Sequence, residues 1–416
     1  MAADEAEVAA TLREASRCGI PVTAAGAGTG VTGGRVPFGG WVLSLEKFTR
    51  LEVQPGYAIV GAGALLRDLH AAAARTGQFY PPDPTETSAA LGGNIATNAS
   101  GSRSFRYGAT RRWIESLRVA MADGSVREFK RGQPIDFDVP AIPLPDVAKN
   151  TAGYLLRPAM DWVDLFVGSE GTLGVVTEAR VRLLPAPKVL VSGVVFFPAD
   201  AEALAAVDRW REIPSLRMLE YMDLHSLDIL RTRVPDIPKN AAAALLIEQE
   251  LESEDDPEMD RIDAPDSAWF GLTARDRERF REFRHTLPEL VNDRVRRMGE
   301  LKRNTDHAVP IARNREMLAY YQERLAAQCP GRHVIFGHIG DAHVHVNIFG
   351  DAGDLLVEFA KKAVSLGGTV SAEHGLGKRK AHLLKLQYAP EHIEAMRAVK
   401  RRLDPNWVLA PGTLFE

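Results

Sequence analysis

Ile20-Pro-Val-Thr-Ala-Ala-Gly-Ala-Gly-Thr-Gly-Val-Thr-Gly-Gly-Arg-Val-Pro37 decides how the first half of the chain is read. Residues 20–25 make a short strand-like run, and a glycine-dense loop follows. Gly28 to Gly33 spells a formal GxGxxG behind that strand. A dinucleotide fold needs a helix to open at the last glycine, so that its N-terminus can hold a pyrophosphate. Here the chain continues Arg35-Val-Pro37-Phe-Gly39-Gly40, which starts no helix, and the Rossmann reading fails. What survives is a loop whose backbone N–H groups can approach a phosphate closely, because Gly26, Gly28, Gly30, Gly33 and Gly34 carry no Cβ. A bare turn would need two glycines, not five in nine residues.

Two further loops have the same character. Pro81-Pro-Asp-Pro-Thr-Glu-Thr-Ser88 runs into Leu91-Gly-Gly-Asn-Ile-Ala-Thr-Asn98-Ala-Ser100-Gly101, and Val167-Gly-Ser-Glu170-Gly171-Thr-Leu-Gly174-Val175 follows later. Each alone is a weak signal. Together they point to one extended, phosphate-bearing ligand laid along a glycine-lined trench.

The second half carries a different chemistry. Gly337-His-Ile-Gly-Asp-Ala-His-Val-His-Val-Asn347 places His343, His345 and Asn347 on one face of a strand, alternating with Val344 and Val346. His338 lies an odd number of residues before His345, and Gly340-Asp341 offers the turn that would bring it round. Ser371-Ala-Glu-His-Gly-Leu-Gly377 adds Glu373 and His374. Two imidazoles and a carboxylate, with positions left open, suit a catalytic divalent metal held by His338, His345 and Glu373. Zinc is expected first, with manganese or iron as alternatives. The plainer alternative is strand histidines bonded to backbone.

Composition sets the bounds. The 416 residues are 45% apolar and 25% charged, enough for two or three domains with a large core. A net charge of -4 gives no reason to expect nucleic acid or an anionic membrane as partner. Cys18 and Cys329 are the only cysteines, too few for a disulfide framework or an iron–sulfur site, and they suit a reducing cytoplasm. No apolar run reaches membrane-spanning length, and the acidic, helix-like residues before position 18 do not read as a signal peptide. A helix near 4–18 is expected, as is a long surface loop over 131–150, where Pro134, Pro140, Pro143 and Pro145 interrupt any period. Pro185-Ala-Pro187 is the expected domain boundary, and the acidic run 248–256 reads as a solvated loop.

With these motifs together, the chain resembles the FAD-linked oxidases of the vanillyl-alcohol oxidase superfamily. More narrowly, it resembles the branch holding D-lactate dehydrogenase, the glycolate oxidase FAD subunit and D-2-hydroxyglutarate dehydrogenase. The resemblance implies an α+β fold: a two-subdomain PCMH-type FAD-binding domain over 1–186, then a cap domain with an antiparallel sheet and flanking helices over 187–402. Residues 403–416 would return to the FAD domain. It also implies FAD contacts from Gly26, Ala27, Gly28, Thr29, Gly30, Thr32, Gly33 and Gly34 in the first loop. Pro82, Asp83 and Thr85 come next, followed by Gly92, Gly93, Asn94, Ala96, Thr97, Asn98, Ser100 and Gly101. Glu170, Gly171, Gly174, Val175 and Asn406 complete the set. FAD is expected to be non-covalent, because the first two glycine loops hold no histidine. The same resemblance puts His338, His345 and Glu373 on the metal and Asn347 and His374 on the substrate. Three departures stand out. The family has a further stretch before the first helix, Ala410 stands where it carries Asn before the final Pro-Gly, and Thr413 replaces its Lys or Asn.

The implied reaction is oxidation of a D-2-hydroxyacid of the D-lactate, glycolate or D-2-hydroxyglutarate type. His374 is the natural base, because an imidazole titrates near working pH. A cation is needed for the substrate carboxylate. Arg284 shares a helix stripe with Phe280, Leu287 and Val291, where an arginine needs an anionic partner from substrate or protein. Lys302 is the second candidate. Electrons would leave through a quinone, a cytochrome, an electron-transfer flavoprotein or an iron–sulfur subunit, so localisation is expected to be cytoplasmic, or peripheral to a membrane through such a partner. A homodimer stays open. Two other readings remain: a flavin alcohol oxidase without metal, and an FAD-binding subunit of a multi-subunit oxidase.

Overall fold

Strand-forming runs separated by Gly and Pro turns build two antiparallel sheets that face each other across a cavity, in a computed structural model describing residues 1–265 and 267–415. Glu416, the last residue of the expected 403–416 segment, lies outside the described residues. β1 (Val22–Ala25) and β2 (Trp41–Ser44) pair in parallel, and Leu409 bridges to Val22. The next strands are β3 (Leu51–Gln54), β4 (Tyr57–Gly61), β5 (Gln78–Phe79), β6 (Ile114–Ala120), β7 (Val126–Lys130), β8 (Val175–Arg182) and β9 (Leu184–Pro185). Five of them form an antiparallel sheet in the order β3-β4-β8-β6-β7, while β5 pairs with β9. β8 shows how burial follows the period of two: Val175, Thr177, Ala179 and Val181 are buried, and the residues between them are not.

The second sheet uses β10 (Val189–Phe197), β11 (Leu216–Met222), β12 (Ala243–Leu251), β13 (Trp269–Gly271), β14 (Lys302–Asn304), β15 (His333–Gly337) and β16 (His345–Phe349). Its order is β13-β10-β12-β11-β15-β16-β14. β10 is apolar on both sides because both sheet faces are covered. One face packs on Trp210, Tyr321 and Phe359 from three helices, the other on Leu227, Phe283, Leu287 and Val291. The last three belong to the helix Ala274–Arg297, started by a capping box between Thr273 and Asp276.

From Val370 onward the chain packs on the core of the first sheet, earlier than the expected return at 403. Val370, Leu376, Leu384, Met396 and Val399 all join that core. Buried Lys400 pairs with Asp404 and donates to the carbonyls of Thr172 (2.7 Å) and Leu409 (2.9 Å), while Asp404 accepts from the amides of Val408 and Leu409. The closing segment is thereby pinned where Leu409 meets β1.

Two surface expectations need correction. Residues 131–150 have no regular structure but are not all at the surface: Ile142 and Lys149 are buried. The run 248–256 is not all solvated loop. Glu248 and Glu250 lie in β12, where Glu248 accepts from Arg103 (3.1 Å) and Arg217 (2.7 Å) and Glu250 accepts from Arg217 (3.2 Å). Paired charge at the contact between the two sheets explains the acidity there, and only from Glu252 does the run reach solvent.

Candidate active site

A cavity of about 390 Å³ runs between the sheets, within the usual range for a small-molecule site. The three glycine loops line it together with β11, β15 and the histidine motifs, and the two sets touch where Ser100 Oγ donates to Glu373 (2.6 Å). Gly28 has φ 79° and needs to be glycine for its backbone. Gly30, Gly34 and Gly93 are more telling. Their φ angles lie outside the left-handed region, and a Cβ added at any of them would meet nothing within 4 Å. Neither backbone nor protein packing demands glycine there, so the missing side chains leave room for a ligand. Such openings suit an extended ligand that approaches the backbone closely.

Most of the expected flavin contacts line the cavity: the first loop except Gly33, then Thr85, Gly92, Gly93, Asn94, Ala96, Thr97, Ser100, Gly101, Glu170, Gly171, Gly174 and Val175. Five do not, and each has another task. Gly33 packs against Arg379. The carbonyl of Pro82 bonds the His70 ring (3.2 Å), and Asp83 pairs with Arg103 (3.1 Å). Asn98 closes the helix Leu91–Thr97 in a left-handed conformation and accepts from the Arg111 amide (2.9 Å). Asn406 donates to Ser16 at the surface (3.0 Å).

The histidine motif is built by one turn. After β15, His338 enters the short 3-10 turn Ile339–Asp341, and Ala342 (φ 52°) reverses the chain into β16. The rings of His338, His343 and His345 thereby converge, with centroids 5.3, 4.5 and 5.5 Å apart. Glu373 Oε2 completes the group, 3.2 Å from His338 Nε2 and 3.8 Å from His345 Nε2. One ligand atom from each of the four residues lies within 4.8 Å of the others. Two ligands on one ion sit at most about 4.2 Å apart, so the group closes round a cation with movements below about 1 Å. His343 is fully buried, yet neither ring nitrogen has a hydrogen-bond partner; Nε2 lies 3.4 Å from Asp306 Oδ1 without hydrogen-bond geometry. An imidazole so placed fits a metal ligand.

Surrounding groups aim the ligands. His338 Nδ1 meets Glu220 Oε1 (2.5 Å), and His345 Nδ1 meets the Thr305 carbonyl (3.2 Å), which leaves both Nε2 atoms facing inward. Glu373 Oε1 accepts from Ser100 Oγ (2.6 Å) and Lys149 Nζ (2.7 Å), which leaves Oε2 free to face the histidines. Burial pulls the His338 pKa down, but Glu220 and Glu373 outweigh it and raise it to about 9. Burial works to raise the Glu373 carboxyl, yet His338 and Lys149 hold it well below the usual range. The site therefore favours a cation at its centre, and the buried His343 and His345 are driven toward the neutral form that a ligand needs.

His374 lines the cavity beside the cluster. Its Nδ1 faces Asp306 Oδ1 at 3.3 Å. Asp306, itself fully buried, accepts from Ser371 Oγ (2.8 Å) and from the amides of Glu373 and His374 (3.2 and 3.0 Å). One carboxylate thus holds the loop through its amides and lies beside its imidazole, whose Nδ1 makes no hydrogen bond, and against burial it raises the His374 pKa. Arg284 also lines the cavity, but its partner is protein: Nε donates to Glu220 Oε2 (2.9 Å) and Nη1 to Thr85 (2.9 Å).

Two expected site residues stand outside. Lys302 is exposed on edge strand β14 and donates to Asn292 (2.7 Å), because the outer end of that strand points away from the cavity. Asn347 is buried in β16 beside the cluster without lining the cavity, its Nδ2 lacking a hydrogen-bond partner. Sequence reasoning missed His343, Glu220, Lys149 and Asp306 as members of the site. His343 carried a signal, since it shares the strand face of His345. The others are single charges in segments with no motif.

Residues 186–414 match the family described as FAD linked oxidases, C-terminal domain, and residues 1–130 match the FAD binding domain. The chain belongs to the FAD-linked oxidase family. It is 33% identical to a D-lactate dehydrogenase of Archaeoglobus fulgidus, over 98% of this chain and 88% of that protein. It is 31% identical to glycolate oxidase subunit GlcD of Bacillus subtilis (98% and 87%). With a D-2-hydroxyglutarate dehydrogenase of Xanthomonas citri pv. viticola it shares 30% (99% and 87%). Among solved structures, an alkyldihydroxyacetonephosphate synthase superposes with TM-score 0.71 at 15% identity, covering 99% of this chain and 75% of the other, a likeness of fold. In this FAD-linked oxidase the glycine loops and the histidine cluster line one cavity.

Proposed function

We propose that this FAD-linked oxidase is a metal-assisted dehydrogenase that oxidises a D-2-hydroxyacid to the 2-oxoacid. The observation that carries the reading is a buried group of three histidines and a glutamate on a glycine-lined cavity, with His374 Nδ1 facing Asp306 at 3.3 Å beside it. The relatives named for D-lactate, glycolate and D-2-hydroxyglutarate support the substrate class. When bound, FAD supplies a hydride acceptor at flavin N5, and a divalent ion supplies a Lewis acid for the hydroxyl and carboxylate oxygens. His338, His343, His345 and Glu373 would hold the ion. His374 Nε2 takes the hydroxyl proton, and Asp306 steadies the imidazolium that results. Arg284, already steadied by Glu220, has donors left on Nη1 and Nη2 for the substrate carboxylate. No helix of the described residues is long and apolar enough to cross a membrane. With two cysteines the chain has no iron–sulfur relay of its own, so a separate acceptor must reoxidise the flavin.

The test is anaerobic flavin bleaching against D- and L-2-hydroxyacids. The D series should bleach the flavin, and chelation should abolish bleaching while sparing the flavin spectrum. His374→Ala should keep its metal and lose about 10²–10⁴-fold in flavin reduction rate. Full activity without metal, or a near-normal rate in His374→Ala with normal metal content, would refute the scheme.

A further inference from the structure

The metal end of the cavity also restricts the substrate. Side chains on a strand alternate between faces, so Glu220 shares its face of β11 with Met222, and His338 shares its face with Phe336 of β15. Met222 and Phe336 are direct cross-strand partners, and Phe336 in turn pairs with His345. Met222 and Phe336 line the cavity beside the cluster, and Pro288 joins them from the helix Ala274–Arg297. None of these three offers a charge, and proline has no N–H to donate. Behind them lie Phe283 and Leu287, so the wall is backed by apolar core.

Cations are scarce at this end. Among the described residues lining the cavity, Arg35 and Arg284 are the permanent cations. Arg35 lies against Gly28 in the first glycine loop. Arg284 is tied to Glu220 and Thr85, with donors for one carboxylate. Lys149 is 1% exposed and spent on Glu373 and Asp341. A substrate bound by its carboxylate and hydroxyl at Arg284 and the metal group would therefore turn its remaining carbon chain to Met222, Phe336 and Pro288.

We infer that this site takes monocarboxylic 2-hydroxyacids with a short apolar chain beyond C2 and excludes those carrying a second carboxylate. The inference rests on the 2-hydroxyacid reading above. A second carboxylate would be stripped of water against an apolar wall with no cation to meet it, a burial that strongly disfavours binding. Discrimination of at least about 10²-fold is expected.

The test uses holoenzyme loaded with FAD and metal, and compares D-lactate and D-2-hydroxybutyrate with D-malate and D-2-hydroxyglutarate in anaerobic flavin reduction. The monocarboxylates should exceed the dicarboxylates by about 10²-fold or more in kcat/KM. Calorimetric titration should show pyruvate binding at least about tenfold more tightly than 2-oxoglutarate. Phe336→Lys, which places an ammonium on the half-buried wall position, should raise the dicarboxylate to monocarboxylate ratio by at least about tenfold. Dicarboxylates that match or outrun lactate in the unaltered enzyme overturn the inference and leave the dehydrogenase reading standing. If no 2-hydroxyacid of either kind bleaches the flavin, that reading falls and takes the inference with it.

Discussion

Lys149 is an ammonium at 1% exposure between two carboxylates, 2.7 Å from Glu373 and 3.0 Å from Asp341. Burial pulls its pKa down and the two acids push it up further, so it stays charged. Removing one partner of a buried ion pair costs about 3–5 kcal/mol, because the other charge is stranded. Lys149→Met strands two in the metal-free protein, but a bound cation would compensate Glu373. The variant should therefore lose stability mainly in its metal-free form, and added divalent metal should raise its melting temperature by more than it raises that of the unaltered protein. Melting both proteins with and without metal decides it; an equal or smaller metal effect in the variant counts against this role. Nothing local in the sequence marks this lysine. It lies in the proline-punctuated stretch 131–150 that reads as surface, and only the long-range meeting with Glu373 reveals its position. Glu220 and Asp306 are hidden for the same reason: each is one acid in an ordinary segment whose partners lie far along the chain. That His338, His345 and Glu373 would come together was legible, because their side-chain types recur at close spacing in two short motifs.

Elements were legible where a period was strong and fooled the reading where charge stood in for exposure. The alternation through residues 343–347 identified the β16 face, while Glu373 and His374, adjacent in sequence, both reach the cavity because residues 371–377 form no strand. The acidic run at 248–256 misled, since β12 carries Glu248 and Glu250 inward to Arg217. One contact between elements has a pH signature. Glu170, in the third glycine loop, accepts from the amides of Leu376 (2.9 Å) and Gly377 (2.8 Å) and so fastens the loop that carries Glu373 and His374. Burial raises its pKa to about 7, and the two amides only partly oppose this. The folded value lies above the unfolded one near 4.3, so the contribution to stability is full below about pH 4 and is lost as pH rises through 7. Glu170→Gln removes that titration. Whatever constant loss comes from a poorer hydrogen bond, the stability of the variant relative to the parent apoprotein should climb by roughly 1–3 kcal/mol between pH 5 and pH 8. Melting the two flavin-free proteins across that range measures it, and a flat difference would remove Glu170 as the titrating group.

At the scale of the whole molecule, the sequence carried the fold class because three glycine loops and the histidine motifs, weak singly, tolerate few alternatives in combination. It did not carry the point at which the chain comes back to the first sheet, because Val370 and Leu376 look like any apolar residues until their packing is known. That return matters for the histidine–glutamate group. His338, His343 and His345 come from the turn between β15 and β16 in the second sheet. Glu373 sits on the returning segment, held from the first half by Ser100 and Lys149 and from the second by Asp306. A cation bound there would span both halves of the molecule, whereas the glycine trench belongs to the first half. Metal and flavin should then be lost separately. At a metal concentration 100 times its dissociation constant, binding stabilises the fold by about 2.7 kcal/mol. For 416 residues unfolding together, at about 2.1 cal/mol/K per residue, that is a shift of roughly 3 °C. Chelation should lower the melting temperature of the holoenzyme by about this much, while the flavin stays bound and its absorption stays near that of the metal-loaded form. Release of flavin in step with the metal would show that the two sites are one cooperative unit. An unmoved melting temperature, with metal demonstrably removed, would mean that the cation does not tie the halves together.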